Sequence, residues 1–446
     1  MLLLFIICSF QQINLQGAYH FPDTLREKLE FYPHQQEIGY LILDYYVNHG
    51  FPYAQINVDN ILYQDSELVF DFLIAEGPRV EVSRITFSGN HHTSPSLLQA
   101  VSRLPDSFTY SQDLIEQAVE NINRLDFIEI LNPPELFYSN RIEQGILNIP
   151  CSPRAANNIF GGITYSPQEE ELNGNIILHI KNILGLGHQI KIYWNKLNRN
   201  SSVWQSDLKL VYLFSKPLNA DLKLLYREQE EYQRILAKLT FSLIFKNLEI
   251  YSGLEYHNIV YDTFEITQLS NVSGFAFDYL DHFYSPTKGW LFSTEVTTGK
   301  ISYFNLQNYI SSVHLNGEQY IPWGWFTYYL WEHSDNLFSS RYPDEILYKY
   351  GGTSRPRGYL PESFNAKNAL LITMECRYMI TRFNYLYPFV DMITYRKTDP
   401  VLTNFGYGIG FSSGNDKFTI NADISANPEL KKIDEFLIST DIQYNF

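Results

Sequence analysis

The last twelve residues of the chain, Glu435–Phe446, read EFLISTDIQYNF and decide the fold. Every second position carries an apolar or hydroxyl-bearing side chain: Phe436, Ile438, Thr440, Ile442, Tyr444 and Phe446. The positions between them are mostly polar. Because consecutive side chains of a strand point to opposite faces, this alternation predicts a β-strand with one apolar face.

The same alternation recurs from about residue 157 onward, where helical periodicity is lost. It marks about sixteen segments, which lie near 159–166, 172–182, 187–196, 203–214, 219–229, 232–246, 248–260, 271–281, 289–299, 305–321, 325–333, 368–380, 384–395, 403–412, 417–427 and 435–446. An even number of alternating strands is typical of a membrane barrel. We therefore predict an all-β transmembrane barrel of antiparallel strands over residues 153–446.

The composition fits a membrane barrel and excludes other classes. Aromatic residues make up 16% of the chain, charged residues 18%, and the net charge is −16. Tyrosines and phenylalanines are expected at the two membrane interfaces of a barrel. Nucleic acid is not an expected partner, because its phosphates require basic clusters that the sequence lacks. No internal apolar run reaches the roughly eighteen residues that a membrane helix needs.

The N-terminus predicts a secretory signal peptide over residues 1–17. A short apolar core, Leu2–Phe10, is followed by polar residues and the small pair Gly17-Ala18, although no basic residue precedes the core. A buried first helix is the alternative. Of the three cysteines, Cys8 would leave with the signal peptide, and Cys151 and Cys376 have no metal-ligand spacing. We therefore expect no metal and no cofactor.

Residues 18–152 combine helical and strand patterns and divide into two modules. The second, 79–152, reads as strand, helix, helix, strand, strand, at Val80–Ser88, Ser94–Leu104, Ser111–Leu125, Phe127–Leu131 and Gly145–Ile149. This layout, with the strand end Ile85–Asn90 (ITFSGN), resembles the POTRA domain. Residues 18–78 resemble a partial or divergent POTRA copy, in which Gln35–Asn48 is a helix and no first strand is evident.

The region 334–367 is rich in Gly, Ser, Pro and Asn and predicts the longest loop of the barrel. It contains Arg355-Pro356-Arg357-Gly358-Tyr359. The barrel region resembles the BamA/TamA superfamily at this motif and at two others. In that family the loop folds back into the barrel, and an arginine contacts acidic groups on the inner wall.

The resemblance places Arg357 at the position of that arginine and makes Gly358 and Tyr359 its neighbours in the lock. The inner-wall residues are Phe389 and Asp391, with Glu375 on the preceding strand; period two puts Phe389 and Asp391 on one face. Ile393 stands where the family has glycine. The alternative is an ordinary lumen charge network, as in any porin.

Two further features belong to the resemblance or follow from strand physics. Asp278 and Asp281, followed by Pro286 and Gly289, are similar to the family's aspartate pair and turn; turn chemistry alone also explains them. The predicted first strand carries Gly161 and Gly162, and glycine weakens strand pairing. We therefore predict a weak lateral seam between the first and last strands, formed by Gly161, Gly162, Tyr444 and Phe446.

The resemblance implies a protein that inserts, assembles or translocates other proteins, in the outer membrane of a Gram-negative bacterium, with the POTRA region in the periplasm. Expected partners are the bilayer, client outer-membrane or surface proteins, and periplasmic or lipoprotein accessory subunits. The alternatives are a two-partner secretion transporter, which is disfavoured because only residues 20–34 precede the first POTRA-like helix, and a passive channel, which the POTRA-like region disfavours. No catalytic motif is found, so an enzyme is not expected.

Overall fold

A computed structural model describes residues 11–445 with gaps at 30–34, 65–66, 90, 140, 142, 167–170, 199–200, 282–284, 305, 340–341, 353–354, 416 and 430–435. The chain divides into two compact units, Met1–Pro153 and Arg154–Phe446. We describe each unit separately. No helix among the described residues is long and apolar enough to cross a membrane.

The first module of the N-terminal unit runs from residue 11 to residue 75. Its elements are β1 Gln11–Gln16, α1 Asp23–Leu29, α2 Gln35–Asn48, β2 Gln55–Gln64 and β3 Glu67–Ala75. The sheet order is β1-β3-β2, with β1 parallel to β3. Helix α2 buries Ile38, Ile42 and Tyr46 against this sheet, as its 3.6-residue spacing of apolar side chains predicts.

Strand β1 corrects one prediction. Gln11–Gln16 pairs with β3, within the range 1–17 for which a signal peptide stays a prediction. The same strand is the first strand of the module, which the sequence did not reveal, because its alternation is only QINLQ and reads as a polar leader. The apolar stretch 1–10 lies outside the described residues.

The second module follows the predicted order. Its elements are β4 Glu81–Ser88, α3 Pro95–Ser102, β5 Phe108–Thr109, α4 Gln112–Asn123, β6 Ile128–Glu129, β7 Glu135–Ser139, β8 Gln144–Pro150 and β9 Ser152–Pro153. Its main sheet has the order β5-β4-β8-β7. Ser111 caps α4 by accepting a hydrogen bond from Leu114 N. The sequence missed β7, which follows Pro133-Pro134.

The second unit is a closed barrel of sixteen antiparallel strands. The strands are β10 Asn158–Ser166, β11 Glu171–Ile183, β12 His188–Asn198, β13 Ser201–Leu210, β14 Leu218–Glu228, β15 Gln233–Phe245, β16 Leu248–Val260, β17 Glu265–Asp278, β18 Gly289–Tyr303, β19 Leu306–Trp323, β20 Phe326–Phe338, β21 Tyr348–Tyr350, β22 Phe364–Ala366, β23 Asn368–Met379, β24 Tyr385–Arg396, β25 Leu402–Gly414, β26 Phe418–Ala426 and β27 Leu437–Asn445. Of these eighteen described strands, β21 and β22 pair with each other as a separate hairpin, and the other sixteen form the barrel. The predicted strand number is confirmed.

Pairing around the barrel is uneven. Strands β18 and β19 share fifteen register pairs, whereas β10 and β27, which close the barrel, share eight. The adjacent pairs β25–β26 and β26–β27 also share eight each. The wall around the closing pair is therefore held by fewer backbone hydrogen bonds than the wall opposite to it.

The predicted loop has structure of its own. Strand β20 continues to Phe338, after which come a short 3-10 helix, Asp344–Ile346, and the hairpin β21–β22. The hairpin tip, residues 351–363, contains the Arg-Pro-Arg-Gly-Tyr motif. We call residues 339–367 the lumen loop, because its contacts, described next, are with inward-facing residues of the barrel.

Candidate functional site

Arg357 of the lumen loop is fixed to the inner wall by Asp391 of β24. The backbone N–H and Nε of Arg357 donate to Asp391 Oδ2 at 2.8 and 2.9 Å, and one terminal nitrogen donates to Oδ1 at 2.9 Å. Thr373 Oγ1 also donates to Oδ1, at 2.8 Å. This fork-shaped contact satisfies both carboxylate oxygens, which an arginine can do and a lysine cannot.

Glu375 of β23 extends the contact into a network. Its Oε1 lies 3.1 Å from Arg357, and its Oε2 accepts from Arg377 at 2.8 Å. Asp391 is 1% exposed and Glu375 is 5% exposed. Arg355 also lies 3.9 Å from Glu375, so two buried carboxylates face three guanidinium groups. The structure brings these predicted site residues together.

Aromatic faces complete the cluster. The Arg357 guanidinium lies 3.5 Å from the centroid of Phe389, which stands two residues before Asp391 on the same inner face. Arg377 lies 4.4 Å from the Tyr329 ring, and Arg355 lies 4.8 Å from the Trp331 ring. Cations over ring faces gain electrostatic attraction where water is excluded. Sequence reasoning found Phe389 and missed the aromatic side chains of β20.

Two glycines let the loop backbone touch the wall. Gly358 has a φ of +85°, and a Cβ there would lie 2.4 Å from the carbonyl oxygen of Ala426. A Cβ on Gly406 of β25 would lie 1.8 Å from the carbonyl oxygen of Arg357. The loop backbone at Arg357 thus comes closest to the wall at Gly406. Ile393 replaces the family's glycine without preventing it, because Ile393 packs into an apolar cluster with Tyr359.

Tyr359 and Asn427 hold the segment that follows the arginine. Tyr359 Oη donates to the carbonyl oxygen of Phe405 at 3.0 Å, and its ring packs edge-on against Phe364. Asn427 Nδ2 donates to the carbonyl oxygen of Gly358 at 2.6 Å. The motif is therefore bound to β24, to β25 and to the end of β26 at once.

A second anchor of the lumen loop lies on the opposite wall, and the sequence did not reveal it. Arg227 of β14 donates to Glu362 Oε1 at 2.6 Å, and Lys349 and Gln229 donate to Oε2 at 3.1 and 3.2 Å. In the barrel order, β24 is the eighth neighbour of β14 among sixteen strands, which is diametrically opposite. The loop therefore spans the lumen from wall to wall.

The lumen loop also covers one end of the lumen. Its Ile346 and Leu347 pack with inward-facing apolar side chains of β16, β17, β18 and β20, which are Ile259, Ile266, Ile301 and Leu337. Tyr350 of the hairpin donates to the buried Asp335 of β20, which also lies 2.6 Å from His314. Apolar packing and buried hydrogen bonds hold this cover in place.

The predicted turn motif lies between β17 and β18, and its Asp281 contacts a distant turn. Asp281 accepts from the backbone of Thr287 and Lys288 at 2.8 and 3.0 Å and forms an ion pair with Arg382 at 3.2 Å. Burial alone would raise the pKa of Asp281, but the backbone hydrogen bonds outweigh burial and hold the pKa below its ordinary value. Asp281 therefore stabilises its own turn and also connects it to Arg382, in the turn between β23 and β24.

Two other members of the motif serve the turn itself. Asp278 Oδ1 accepts from Leu280 N at 3.0 Å. Gly289 has a φ of +110°, and a Cβ there would lie 2.1 Å from the Tyr279 carbonyl oxygen. For Pro286 the structure shows only its place in the turn between β17 and β18.

The predicted seam is the β10–β27 junction. Gly161 lies opposite Ile442, and Gly162 lies opposite Asp441. Gly162 faces inward, where a Cβ would lie 2.2 Å from Asp441 Oδ1, and Gly161 faces outward. Tyr444 pairs with Ile159 on the outer face. Phe446 lies outside the described residues.

No group of His, Cys, Asp or Glu within the described part of the chain is arranged to hold a metal ion. The two described cysteines, Cys151 and Cys376, are both free. The candidate site is therefore a set of hydrogen bonds, ion pairs and backbone contacts. Such a set can position or release a loop.

The family model that matches the chain is POTRA, described as "surface antigen variable number repeat", over residues 80–136. Solved structures match nearly the whole chain. BamA from Haemophilus ducreyi lacking POTRA domains 1–3 has 15% identity and a TM-score of 0.64, covering 98% of this chain and 99% of that one.

CdiB is similar in fold as well. CdiB from Acinetobacter baumannii has 11% identity and CdiB from Escherichia coli has 14%, each with a TM-score of 0.59 and covering 98% of this chain and 90% of that one. No curated protein sequence matches the chain significantly. At these identities the likeness establishes the fold.

Proposed function

We propose that this chain, which has a POTRA domain and the sixteen-stranded barrel fold of the BamA/TamA-type superfamily, assists other proteins to insert into the outer membrane. Client strands would pair with its exposed strand edges and leave through the β10–β27 seam. The proposed process forms and breaks hydrogen bonds only, so it is not enzymatic.

The observation that carries the proposal is the contrast between the lumen and the seam. The lumen loop crosses the barrel from β24 to β14 and is anchored at both ends. The seam has eight register pairs and two adjacent glycines. A folding strand would therefore meet a blocked path along the axis, and in the lateral wall it would meet a glycine-containing junction that is among the shortest.

Strand edges supply the template. An opened seam exposes the backbone groups of β10 and β27, and unpaired edges accept new strands by β-augmentation. Among the described strands of the N-terminal unit, β2 pairs only with β3, and β7 pairs only with β8. These two edges could hold extended client segments before they reach the membrane.

The proposed location is the outer membrane of a Gram-negative bacterium, with the N-terminal unit in the periplasm. Outer-membrane barrels have apolar side chains facing lipid, and Ile163, Leu239 and Ile442 are exposed on the outer face. With the N-terminal unit in the periplasm, odd-to-even strand connections lie outside, so the lumen loop would close the outer mouth. We also propose that periplasmic or lipoprotein accessory subunits bind the chain.

A two-partner secretion transporter remains the second candidate. The fold is similar to that of CdiB over nearly the whole chain. In that role the secreted protein would pass through the lumen, and the lumen loop would have to release both anchors. The two candidates differ in which surface touches the client.

Photo-cross-linking tests the proposal. A photoreactive residue would replace Ile163 on β10 or Ile442 on β27, which are 57% and 44% exposed. Leu239 on β15, 43% exposed on the outer face, is the matched control. The full chain, reconstituted in vesicles, would be illuminated while a urea-denatured eight-stranded outer-membrane barrel folds into them.

We expect adducts with the folding barrel at residues 163 and 442 and none at 239. Equal labelling at all three positions would indicate non-specific contact and contradict the proposal. A further probe at Lys223, which faces the lumen, distinguishes the alternative: adducts there with a secreted client, and none at the seam, would favour the transporter.

A further inference from the structure

Two pairs of cations face each other directly across β14 and β15 on the inner wall. Arg227 lies opposite Arg234, and Lys223 lies opposite Lys238. All four side chains point into the lumen, because the residues that alternate with them, such as Leu224 and Leu239, are exposed on the outer face. Like charges directly opposite in a sheet are destabilising, so the wall needs anions to compensate them.

One of these cations already binds a carboxylate that comes from outside the wall. Glu362 of the lumen loop accepts from Arg227 at 2.6 Å. Lys238 pairs with Glu295 of β18. Arg227 and Lys238 are therefore each paired with a carboxylate of the chain itself.

Unlike Arg227 and Lys238, Arg234 forms no ion pair with a carboxylate among the described residues. Its terminal nitrogens contact His257 Nδ1 at 2.8 Å and the carbonyl oxygen of Glu345 at 3.4 Å. Its Nε is buried and has no hydrogen-bond partner among the described residues. A buried donor without a partner is costly, so the hydrogen bonds of the Arg234 guanidinium are incompletely satisfied.

A cavity of about 300 Å³ lies beside Arg234. It is lined by Lys223, Arg234, Lys238 and His257 from the wall and by Ile346 and Tyr348 of the lumen loop. This volume is enough for a small organic or inorganic anion, since one water takes up about 30 Å³ of liquid.

The carboxylates around the cavity are already hydrogen-bonded. Glu255 lies 2.6 Å from His257 Nε2, and Glu295 accepts from Tyr251 at 3.0 Å as well as from Lys238. Asp207 of β13, opposite Lys223, accepts from Gln205 at 2.7 Å. Arg234 and Lys223 both line the cavity, and neither forms an ion pair with a carboxylate among the described residues.

We propose that this lumen cavity binds a small anion bearing phosphate or carboxylate groups, held by Arg234 and Lys223. Binding would compensate the paired cations of β14 and β15 beneath the lumen loop. Because the site lies in the lumen and uses neither the seam nor the strand edges, it does not depend on the proposed client chemistry.

Calorimetric titration of the full chain in detergent micelles tests the site, with inorganic pyrophosphate and succinate as separate probes. Arg234→Gln and Lys223→Gln should each weaken binding about tenfold, because a charge-assisted hydrogen bond is lost. Lys209→Gln is the matched control: Lys209 is also a lumen lysine, but it already lies 3.5 Å from Glu249 and 4.0 Å from Asp221. We expect it to bind like the wild type.

Saturable binding of either probe that only the first two variants lose would support the site, and the tighter probe would identify the group. Absence of saturable binding of both probes to the wild-type chain would overturn the proposal. Equal loss in all three variants would also overturn it, since it would indicate general screening of lumen charge. Far-UV circular dichroism verifies that each variant keeps its β-barrel.

Discussion

At the scale of single residues, position 357 requires the forked guanidinium group of arginine. Its guanidinium binds Asp391 through two nitrogens and also reaches Glu375. Both carboxylates are almost fully buried. Removing one partner of a buried ion pair costs more than the pair contributes, because a charge is left in a poorly solvated site.

Arg357→Ala should therefore lower the free energy of unfolding of the barrel by about 3 kcal/mol, and Arg357→Lys by about half as much, because lysine keeps the charge but not the fork. Urea titration followed by tryptophan fluorescence measures both. Arg396→Ala removes an exposed arginine whose ion pair with Asp399 is 3.8 Å long and should change nothing. Equal stability of all three variants would contradict the assigned role.

Gly406 tests the same contact from the wall side. Gly406→Ala places a Cβ 1.8 Å from the present position of the Arg357 carbonyl oxygen. Because this distance is far shorter than a van der Waals contact, the loop must move off β25. We expect a several-fold rise in ion conductance across planar bilayers, because a gap opens between the loop and β25 even though the Glu362 anchor on Arg227 remains.

The matched control for this substitution is Gly317→Ala. Gly317 is also a barrel-strand glycine, but the nearest atom to its added Cβ is 4.0 Å away. That variant should conduct like the wild type. A closed Gly406→Ala channel would show that the loop tolerates displacement without opening the lumen.

At the scale of elements, one carboxylate connects parts of the first module of the N-terminal unit. Glu76, just after β3, accepts from the backbone N–H of His20 at 2.7 Å and from Tyr46 Oη of α2 at 2.7 Å. Burial alone would raise its pKa, but these hydrogen bonds and the His20 ring outweigh burial and lower it. Glu76 thus links the helix layer to the sheet.

The lowered pKa gives a pH dependence with a definite sign. A carboxyl whose pKa is lower in the folded state stabilises the fold above its unfolded pKa and loses that contribution as pH falls through the folded pKa. Limited proteolysis of the full chain should therefore cut residues 11–75 faster as pH drops below the ordinary glutamate range.

Glu76→Gln should remove this acid-specific acceleration, because glutamine does not titrate there. If the wild type and the variant show the same pH profile of cleavage, another group controls the acid sensitivity of this module.

The elements that the sequence placed least well share one cause. Strand β17 begins at Glu265, where we predicted about 271, and β20 ends at Phe338, where we predicted 333. The missed ends carry Ile266 and Leu337, which face inward and pack under the lumen loop. We predicted barrel strands from the alternation of apolar outward and polar inward side chains. At these strand ends the inward side chains are apolar as well, because the lumen loop covers them. The alternation is therefore lost there.

At the scale of the whole molecule, the strand number and the first loop anchor could be predicted from the sequence. The strands repeat one pattern, and Arg357, Glu375 and Asp391 stand in a recognisable order. The second anchor could not be predicted, because Glu362 and Arg227 are 135 residues apart and meet only when the barrel closes. The role of Gly406 also depends on closure, since it requires the loop backbone beside it.

The closed barrel has a short closing junction with two adjacent glycines and a bridged lumen, and the proposed function depends on the closing junction. If clients leave through the seam, opening of β10 from β27 is required in each cycle. If they leave through the lumen, the seam can stay closed while the lumen loop moves. Locking the seam covalently separates the two cases.

The most direct test is a disulfide between cysteines at Gly161 and Ile442, which are register partners across the seam. The matched control joins Leu239 and Leu254, register partners on β15 and β16. The readout is the rate at which vesicles containing the full chain accelerate folding of a denatured eight-stranded barrel. We predict that oxidation abolishes the acceleration only for the 161–442 pair, and that reduction restores it; full activity of the oxidised 161–442 variant would contradict lateral release.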